Sequence, residues 1–459
     1  MDHPGSGSPA KKAMLVHVTG HVKGSWAMSK ESQKESKKEI LHRHMDTFTK
    51  QFQQQYGNNL SWATLPVLIL TKIYEYLPIL DKAHAAKTCR HWNQTYHLPE
   101  LWRKFEFNIS NCDTSYFKGT PKSLVKQVLM EHSQHLRYVT IKVDGHRQSA
   151  ETACDILSSL VKCSLKTLEL MSTAKPSFKM LNPDQFVSAL TVVFVNSGSL
   201  SSLAIDETPV DDSSLALLAK GNQDTLTMLR MDSCPRVSPE GIIVVADQCR
   251  QLHELCIDYT HLTDELLTSL SRDEHVKLKY LRINIVLKEM LAANYQLHSI
   301  SKESWLALSR HSPKLHLLMY FYVLNDENFD PFFHCEVPAT HLFFGRSVSK
   351  DVMNRVGRYC PKLQELVVSA NGHDPIDEEL IQIANKCHNL ESVGLGECQI
   401  SSQALVHFAK ICGKRLKQLF VCEEVLIPED NYDLDQMSEE VSESIGRPWS
   451  LEFMPCWFD

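Results

Sequence analysis

From residue 136 onward the apolar positions recur as L-x-x-L-x-L, with Ile, Val, Met and aromatics admitted, and the hexad returns eleven times. The copies begin at Leu136, Leu165, Leu200, Leu226, Leu252, Leu278, Leu315, Ala339, Leu363, Leu390 and Leu416, at spacings of 24 to 37 residues. One or two such hexads arise by chance, but a run of this length nearly in phase does not. Between them lie helical patterns such as SPEGIIVVADQC (238–249) and DEELIQIANKC (377–387). Each copy predicts a short strand, a turn and a helix. One copy cannot bury its own apolar side, so the copies stack. The fold class is an α/β solenoid, a curved leucine-rich-repeat horseshoe with parallel strands on the concave face and helices outside, over 109–422.

Side chains alternate along a strand, so the residue between the second and third motif positions faces the concave side. In the first half these are Thr140, Glu169, Ala204, Arg230, Cys256 and Arg282, polar or small. In the second half they are Met319, Phe343, Val367, Gly394 and Phe420, which makes an apolar stripe. Such a stripe is either a binding surface or a face that other parts of the chain cover. The stretches 284–304 and 325–338 lengthen the loops in the same region, where repeat proteins often place their working parts.

Upstream, residues 61–108 change period. Leu65, Ile69, Ile73, Tyr76 and Leu80 recur at steps of four and three and predict one helical face. Thr64 and Pro66 suit its start, Pro78 its end, Asp81 a cap on the next helix, and Pro99 a further turn. A unit of about 45 residues is marginal alone, yet this one also carries Val67, Leu68, Leu70 and Trp92. Part of that apolar surface should meet another chain or the following domain. Residues 1–60 hold nine Lys/Arg against five Asp/Glu with no sustained apolar period, and predict a disordered, mildly basic leader. Residues 423–459 hold eleven Asp/Glu against Arg447 alone and predict an acidic tail, which closes on the aromatic sequence FMPCWFD.

Composition excludes several functions. A net charge of −7 argues against a nucleic-acid partner. The longest apolar run, 315–324, is too short to cross a bilayer, and no secretory leader is evident. None of the 14 cysteines forms C-x-x-C. Cys163, Cys249, Cys360, Cys387 and Cys412 sit at one phase of the repeat, as packing residues do. None of the 22 histidines falls in a metal-ligand spacing, and neither a P-loop nor G-x-S-x-G is present. The expectation is a non-enzymatic protein with no cofactor and no metal.

The segment Leu65-Pro66, Ile69-Leu70, Ile73, Tyr76-Leu77, Leu80-Asp81, Cys89-Arg90 and Trp92 resembles an F-box. That resemblance implies docking on a Skp adaptor, and through it on a cullin and a RING subunit. Leu65, Pro66, Ile69, Ile73, Leu77, Leu80 and Trp92 would then be the adaptor-binding residues. Longer blocks, among them TACDILSSLVKCSLKTLEL (152–170), FDPFF, ATHLFFGRSVSKDV and MPCW, resemble the cryptochrome-binding F-box/leucine-rich-repeat proteins of the circadian clock. In that family the last Trp of the chain enters the flavin pocket of a cryptochrome while the late repeats cup its surface. The resemblance implies client contacts at Met454, Pro455 and Trp457, beside Met319, Phe343, Val367 and Phe420 of the apolar stripe. The family ends at the Trp, whereas Phe458 and Asp459 follow it here. The implied role is the substrate-recognition subunit of a ubiquitin ligase, in nucleus and cytoplasm. A repeat scaffold that shields its partner without ubiquitin transfer is the alternative.

Overall fold

A computed structural model describes residues 62–111, 118–173, 177–286, 297–323, 329–345, 348–370, 375–427 and 433–452. The predicted leader 1–60, residues 287–296 of the stretch 284–304, and Met454, Pro455 and Trp457 lie outside these residues. The described chain forms two compact units, one of 62–105 with 121–138 and one of 106–120 with 139–452.

The first unit is helical. It contains α1 (Val67–Tyr76), α2 (Ile79–Ala85), α3 (Arg90–Tyr96) and α4 (Lys122–Gln127). Pro66 and Pro78 stand at the N-cap positions of α1 and α2, where a missing N–H costs nothing. The break at Pro78 corrects one expectation: Leu80 belongs to α2 and does not continue the apolar face of α1. Asp81 lies in the first turn of α2 instead of capping it.

Two rings anchor this unit. The Tyr74 hydroxyl donates to the Trp92 carbonyl at 2.9 Å, its ring meets the Trp92 edge at 5.6 Å, and burial pushes its phenol up to about 12. Trp102 donates its indole N–H to the Tyr96 carbonyl at 2.7 Å and stacks on His132, with centroids 4.0 Å apart and planes 3° apart. His132 closes a π-helical turn, Val128–His132, that continues α4.

The second unit is the repeat array. Its sheet runs in strict sequence order from β1 to β12. The strands are β1 (Lys104–Ile109), β2 (Tyr138–Val143), β3 (Thr167–Ser172), β4 (Ser202–Ile205), β5 (Met228–Met231) and β6 (Glu254–Asp258), then β7 (Tyr280–Val286), β8 (His316–Val323), β9 (Ala339–Phe344), β10 (Glu365–Ala370), β11 (Ser392–Glu397) and β12 (Gln418–Val421). From β3 to β12 every neighbouring pair is parallel. The crossovers carry α5 (Arg147–Ser159), α6 (Pro183–Asn196), α7 (Asp212–Asn222), α8 (Pro239–Gln248), α9 (Asp264–Leu270), α10 (Lys302–His311), α11 (Lys350–Tyr359), α12 (Asp377–Lys386) and α13 (Ser402–Cys412). Leu168, Leu203, Leu229, Leu255, Leu281 and Leu317 align as one row of buried side chains. That row is the motif Leu made physical.

Helix starts lock each repeat to the next. Ser238, Thr263, Ser301, Ser349 and Ser401 each cap a helix with a side-chain oxygen that accepts a backbone N–H. Three aspartates add a cross-repeat bond. Asp212, Asp264 and Asp377 open their helices and accept the backbone N–H of Ser238, Ser301 and Ser401, each at 2.9 Å. The phased cysteines are buried. Burial pushes the thiols of Cys249 and Cys412 up to about 12 and that of Cys387 to about 11, which keeps them protonated and unreactive.

Residues 433–452 do not form an acidic tail. Leu434–Ile445 is a helix, α14, whose Met437, Val441 and Ile445 are buried while its carboxylates face outward. Lys410 of α13 pairs with Glu440 of α14 at 2.9 Å. Gly446 ends the helix in the left-handed region, φ 80°. The Trp449 indole N–H then reaches the Leu419 carbonyl at 2.8 Å, and the Glu452 N–H reaches that of Val421 at 3.1 Å. The segment is a terminal cap on the last repeat, which a stacked array needs at its ends.

Candidate docking surfaces

The helical unit leaves an apolar face open. Leu68 is 75% exposed, Tyr76 70%, Trp62 62% and Leu80 51%. Pro66 is exposed, Ile69, Ile73, Leu77 and Trp92 are half-buried, and Leu65 is buried. On α1 the cause is periodicity: Leu70 and Tyr74 turn inward and are fully buried, so Leu68 and Tyr76 turn outward. Leu65 is structural in this arrangement, because its carbonyl bonds the His91 ring at 2.7 Å. Of the two most exposed side chains on this face, Tyr76 was marked by the helical periodicity, whereas Leu68 was visible in the sequence only as a member of a general apolar run.

The concave strand face divides as the sequence pattern predicts, with one correction. β8 pairs Arg282 with Leu318 and Ile283 with Met319. Leu318 therefore shares the face of Arg282, and Met319 points with the core row of Ile283 and Leu342. The run LHLLMYFYV is apolar at both parities, so the hexad could not fix its phase, and a one-residue slip exchanges the faces. A register shift between Leu317 and Leu318 marks the spot. Leu318, Tyr320, Phe343 and Val367 form one buried cluster, with Tyr280 and Tyr322 packed against it. Tyr320 stacks on Phe343 at 4.2 Å, and Phe420, farther along the same row, is half-buried.

The polar half holds charges out of water in pairs. Arg230 meets Asp206 at 2.7 Å and Glu169 at 3.6 Å, and Thr140 donates to Glu169 at 3.2 Å. The Cys256 thiol donates to Asp232 at 3.2 Å. Burial, with Asp232 adding repulsion, raises Asp206 to about 7 and Asp258 to about 8. Arg282 lies 4.0 Å from the Tyr320 ring centroid, so the polar and apolar halves of the face meet in a cation–π contact. Past Leu318, His341 and Glu365 continue the row of Arg282, and His316 pairs with Tyr280 beside them. Burial lowers His341 to about 4 and raises Glu365 to about 7.

At the C-terminal end of the sheet a cleft of about 530 Å³ is lined by Cys422, Glu423, Glu424, Leu426, Leu451 and Glu452, among others. Its three carboxylates suit a basic partner. Among the described residues His97, Glu131 and His132 bring three ligand atoms together in the helical unit. They were not legible in sequence, since 34 residues separate His97 from Glu131 and only the fold joins them. No helix among the described residues is long and apolar enough to cross a membrane.

Residues 62–108 match the F-box-like family. Over 398 residues the chain is 52% identical to F-box/LRR-repeat protein 21 of Mus musculus, covering 87% of this chain and 91% of the relative. The chain belongs to the F-box/leucine-rich-repeat family. The Bos taurus protein of the same name is 50% identical over the same 87% and 91%. F-box only protein 33 of Homo sapiens is more distant, 21% identical over 86% of this chain and 83% of its own. Proteins of the F-box/leucine-rich-repeat family are non-catalytic substrate adaptors, and the F-box is their docking module for a Skp-type adaptor. For this F-box/leucine-rich-repeat chain, the open face of α1 and α2 lies inside the matched residues.

Proposed function

We propose that this chain is the client-recognition subunit of a Skp–cullin–F-box ubiquitin ligase, and that its clients are cryptochromes. The observation that carries the first half is the exposed apolar face of Pro66, Leu68, Tyr76 and Leu80 inside the F-box match. Exposed apolar area of that kind on a small helical unit marks a protein contact. Ile69, Ile73, Leu77 and Trp92 line its margin, with Leu65 beneath as support. The subunit transfers nothing itself. It holds the client beside a charged ubiquitin-conjugating enzyme, so the acceleration comes from proximity.

The second half rests on the sequence likeness and on surface chemistry. Phe420, half-buried at the far end of the row, offers the apolar part of the client surface, with Phe343, Val367 and, in place of Met319, Leu318 buried behind it as support, and the acidic cleft at 422–427 and 451–452 supplies its charge. Met454, Pro455 and Trp457 are assigned to the client's pocket. We place the protein in both nucleus and cytoplasm, on the basic run 30–38.

Reconstitution tests both halves. With adaptor, cullin, RING subunit and a conjugating enzyme, a purified cryptochrome should gain ubiquitin only when this chain is present. Binding without transfer would favour the shielding scaffold. Truncation after Pro455 should lower client affinity at least tenfold, and flavin should compete with the intact chain. Unchanged affinity would remove Trp457 from the contact.

A further inference from the structure

We propose that His97, Glu131 and His132 form a zinc-class divalent metal site in the helical unit. His97 Nδ1 lies 3.4 Å from His132 Nε2, His132 Nε2 lies 3.8 Å from Glu131 Oε2, and His97 Nδ1 lies 3.9 Å from the same oxygen. Zinc bonds imidazole nitrogen at about 2.0–2.1 Å in a tetrahedron, which sets about 3.4 Å between neighbouring ligand atoms. The histidine pair already stands at that separation. It is also longer than a good N–H···N hydrogen bond; the two rings stack, with centroids 5.3 Å apart and planes 23° apart, which keeps both nitrogens on the same side. The carboxylate stands about half an ångström too far, a gap that a small rotation of the half-exposed Glu131 side chain closes.

Two features make this more than a chance cluster. The His132 side chain is 3% exposed, and its Nε2 faces the other two groups. Its ring is clamped flat against Trp102, so its direction is fixed before any ion arrives. Both Glu131 and His132 lie on the π-helical turn Val128–His132, a departure from α-helix that recurs at functional sites. A plain α-helical turn would set residues 131 and 132 at a different angle. His97 closes α3, so a bound ion would tie the end of α3 to that turn. Two nitrogens and one oxygen leave a fourth position open. That donor set suits Zn²⁺ better than Mg²⁺ or Ca²⁺, which take oxygen.

The test uses the full-length chain and Zn²⁺. Free thiols elsewhere could also capture zinc, and the readout must separate them. X-ray absorption of protein loaded with one equivalent should show a first shell of nitrogen and oxygen only. His97→Gln and Glu131→Gln each remove a ligand from the exposed side and leave the Trp102–His132 stack intact. Each should weaken Zn²⁺ binding by ~10-fold or more. A shell containing sulfur, or unchanged affinity in both variants, would overturn the site.

Discussion

Ser401 gives both its backbone N–H and its hydroxyl to Asp377, at 2.9 and 2.7 Å, across the boundary between two repeats. The same serine then accepts the Ala404 N–H at 3.1 Å and so caps its own helix. One aspartate therefore fixes the start of α13 against α12. Asp264 does the same for Ser301, with bonds at 2.9 and 2.8 Å. In a solenoid, where stability is a sum over repeats and their interfaces, such bonds set the interface part.

Asp377→Ala should thus cost about 1–3 kcal/mol, because it leaves two donors without their acceptor. The control is Glu378→Ala in the same turn, which is exposed and should stay within about 0.5 kcal/mol of the parent. Urea titration of both variants checks the difference.

Gly241 tests the same latch from its crowded side. A Cβ there would stand 2.2 Å from Asp212 Oδ1, the atom that accepts the Ser238 N–H. Gly241→Ala should lose about 2 kcal/mol even though alanine favours helix, because the aspartate must move off its partner. Paired with Asp212→Ala, the alanine should regain most of that loss. A double-mutant cycle measures the coupling.

The cap on the last repeat gives a local prediction. Trp449→Ala removes the indole bond to Leu419 and the packing of a half-buried ring. The expected loss is about 1–3 kcal/mol. It should concentrate at the C-terminal end: amide exchange should quicken at Leu419–Val421, with β4 to β6 unchanged. Uniform acceleration across the sheet would contradict a local cap.

On the adaptor side, Leu68→Asp combined with Tyr76→Asp should abolish co-purification with a Skp-type adaptor. Both side chains are exposed, so thermal stability should move by less than about 0.5 kcal/mol. Leu70→Ala is the contrast. That side chain is fully buried, so its loss should act through stability, at about 2–5 kcal/mol.

Legibility in the sequence followed from periodicity. The motif leucines repeat, so their buried row could be read directly, and the phased cysteines went with them. β1 escaped because Phe105, Phe107 and Ile109 alternate only three times and abut the helical segment. Met319 was misplaced because its strand is apolar on both faces. The terminal helix α14 was hidden by its charge, although Met437, Val441 and Ile445 stand four residues apart and do spell a buried stripe. The pair of Trp102 and His132 was out of reach, since nothing local in either residue announces the other.

The last prediction concerns pH and two groups that continue the concave row of Arg282 and Leu318. His341 Nε2 and Glu365 Oε2 lie 3.9 Å apart, with side chains 18% and 14% exposed. Burial raises Glu365 from 4.5 to about 7, so the folded chain binds this proton more readily than the unfolded chain. Its contribution therefore grows as pH falls from about 7 toward 4.5 and is lost on the way back up. Burial, with His316 adding, lowers His341 from 6.5 to about 4, so here the unfolded chain binds the proton more readily. Its contribution is lost as pH falls through that window. The two slopes oppose and largely cancel between pH 7 and 4.5. Glu365→Gln removes one of them. The variant should be more stable than the parent at pH 8 by about 1–2 kcal/mol, since a buried carboxylate is no longer forced to ionise. That advantage should vanish near pH 4.5, and the variant should lose stability on acidification more steeply than the parent. His341→Gln should do the reverse, matching the parent near pH 7.5 and gaining on it as pH falls. Urea titrations at pH 8, 6 and 4.5 measure both differences, and parallel curves for parent and variants would exclude the pair as the source.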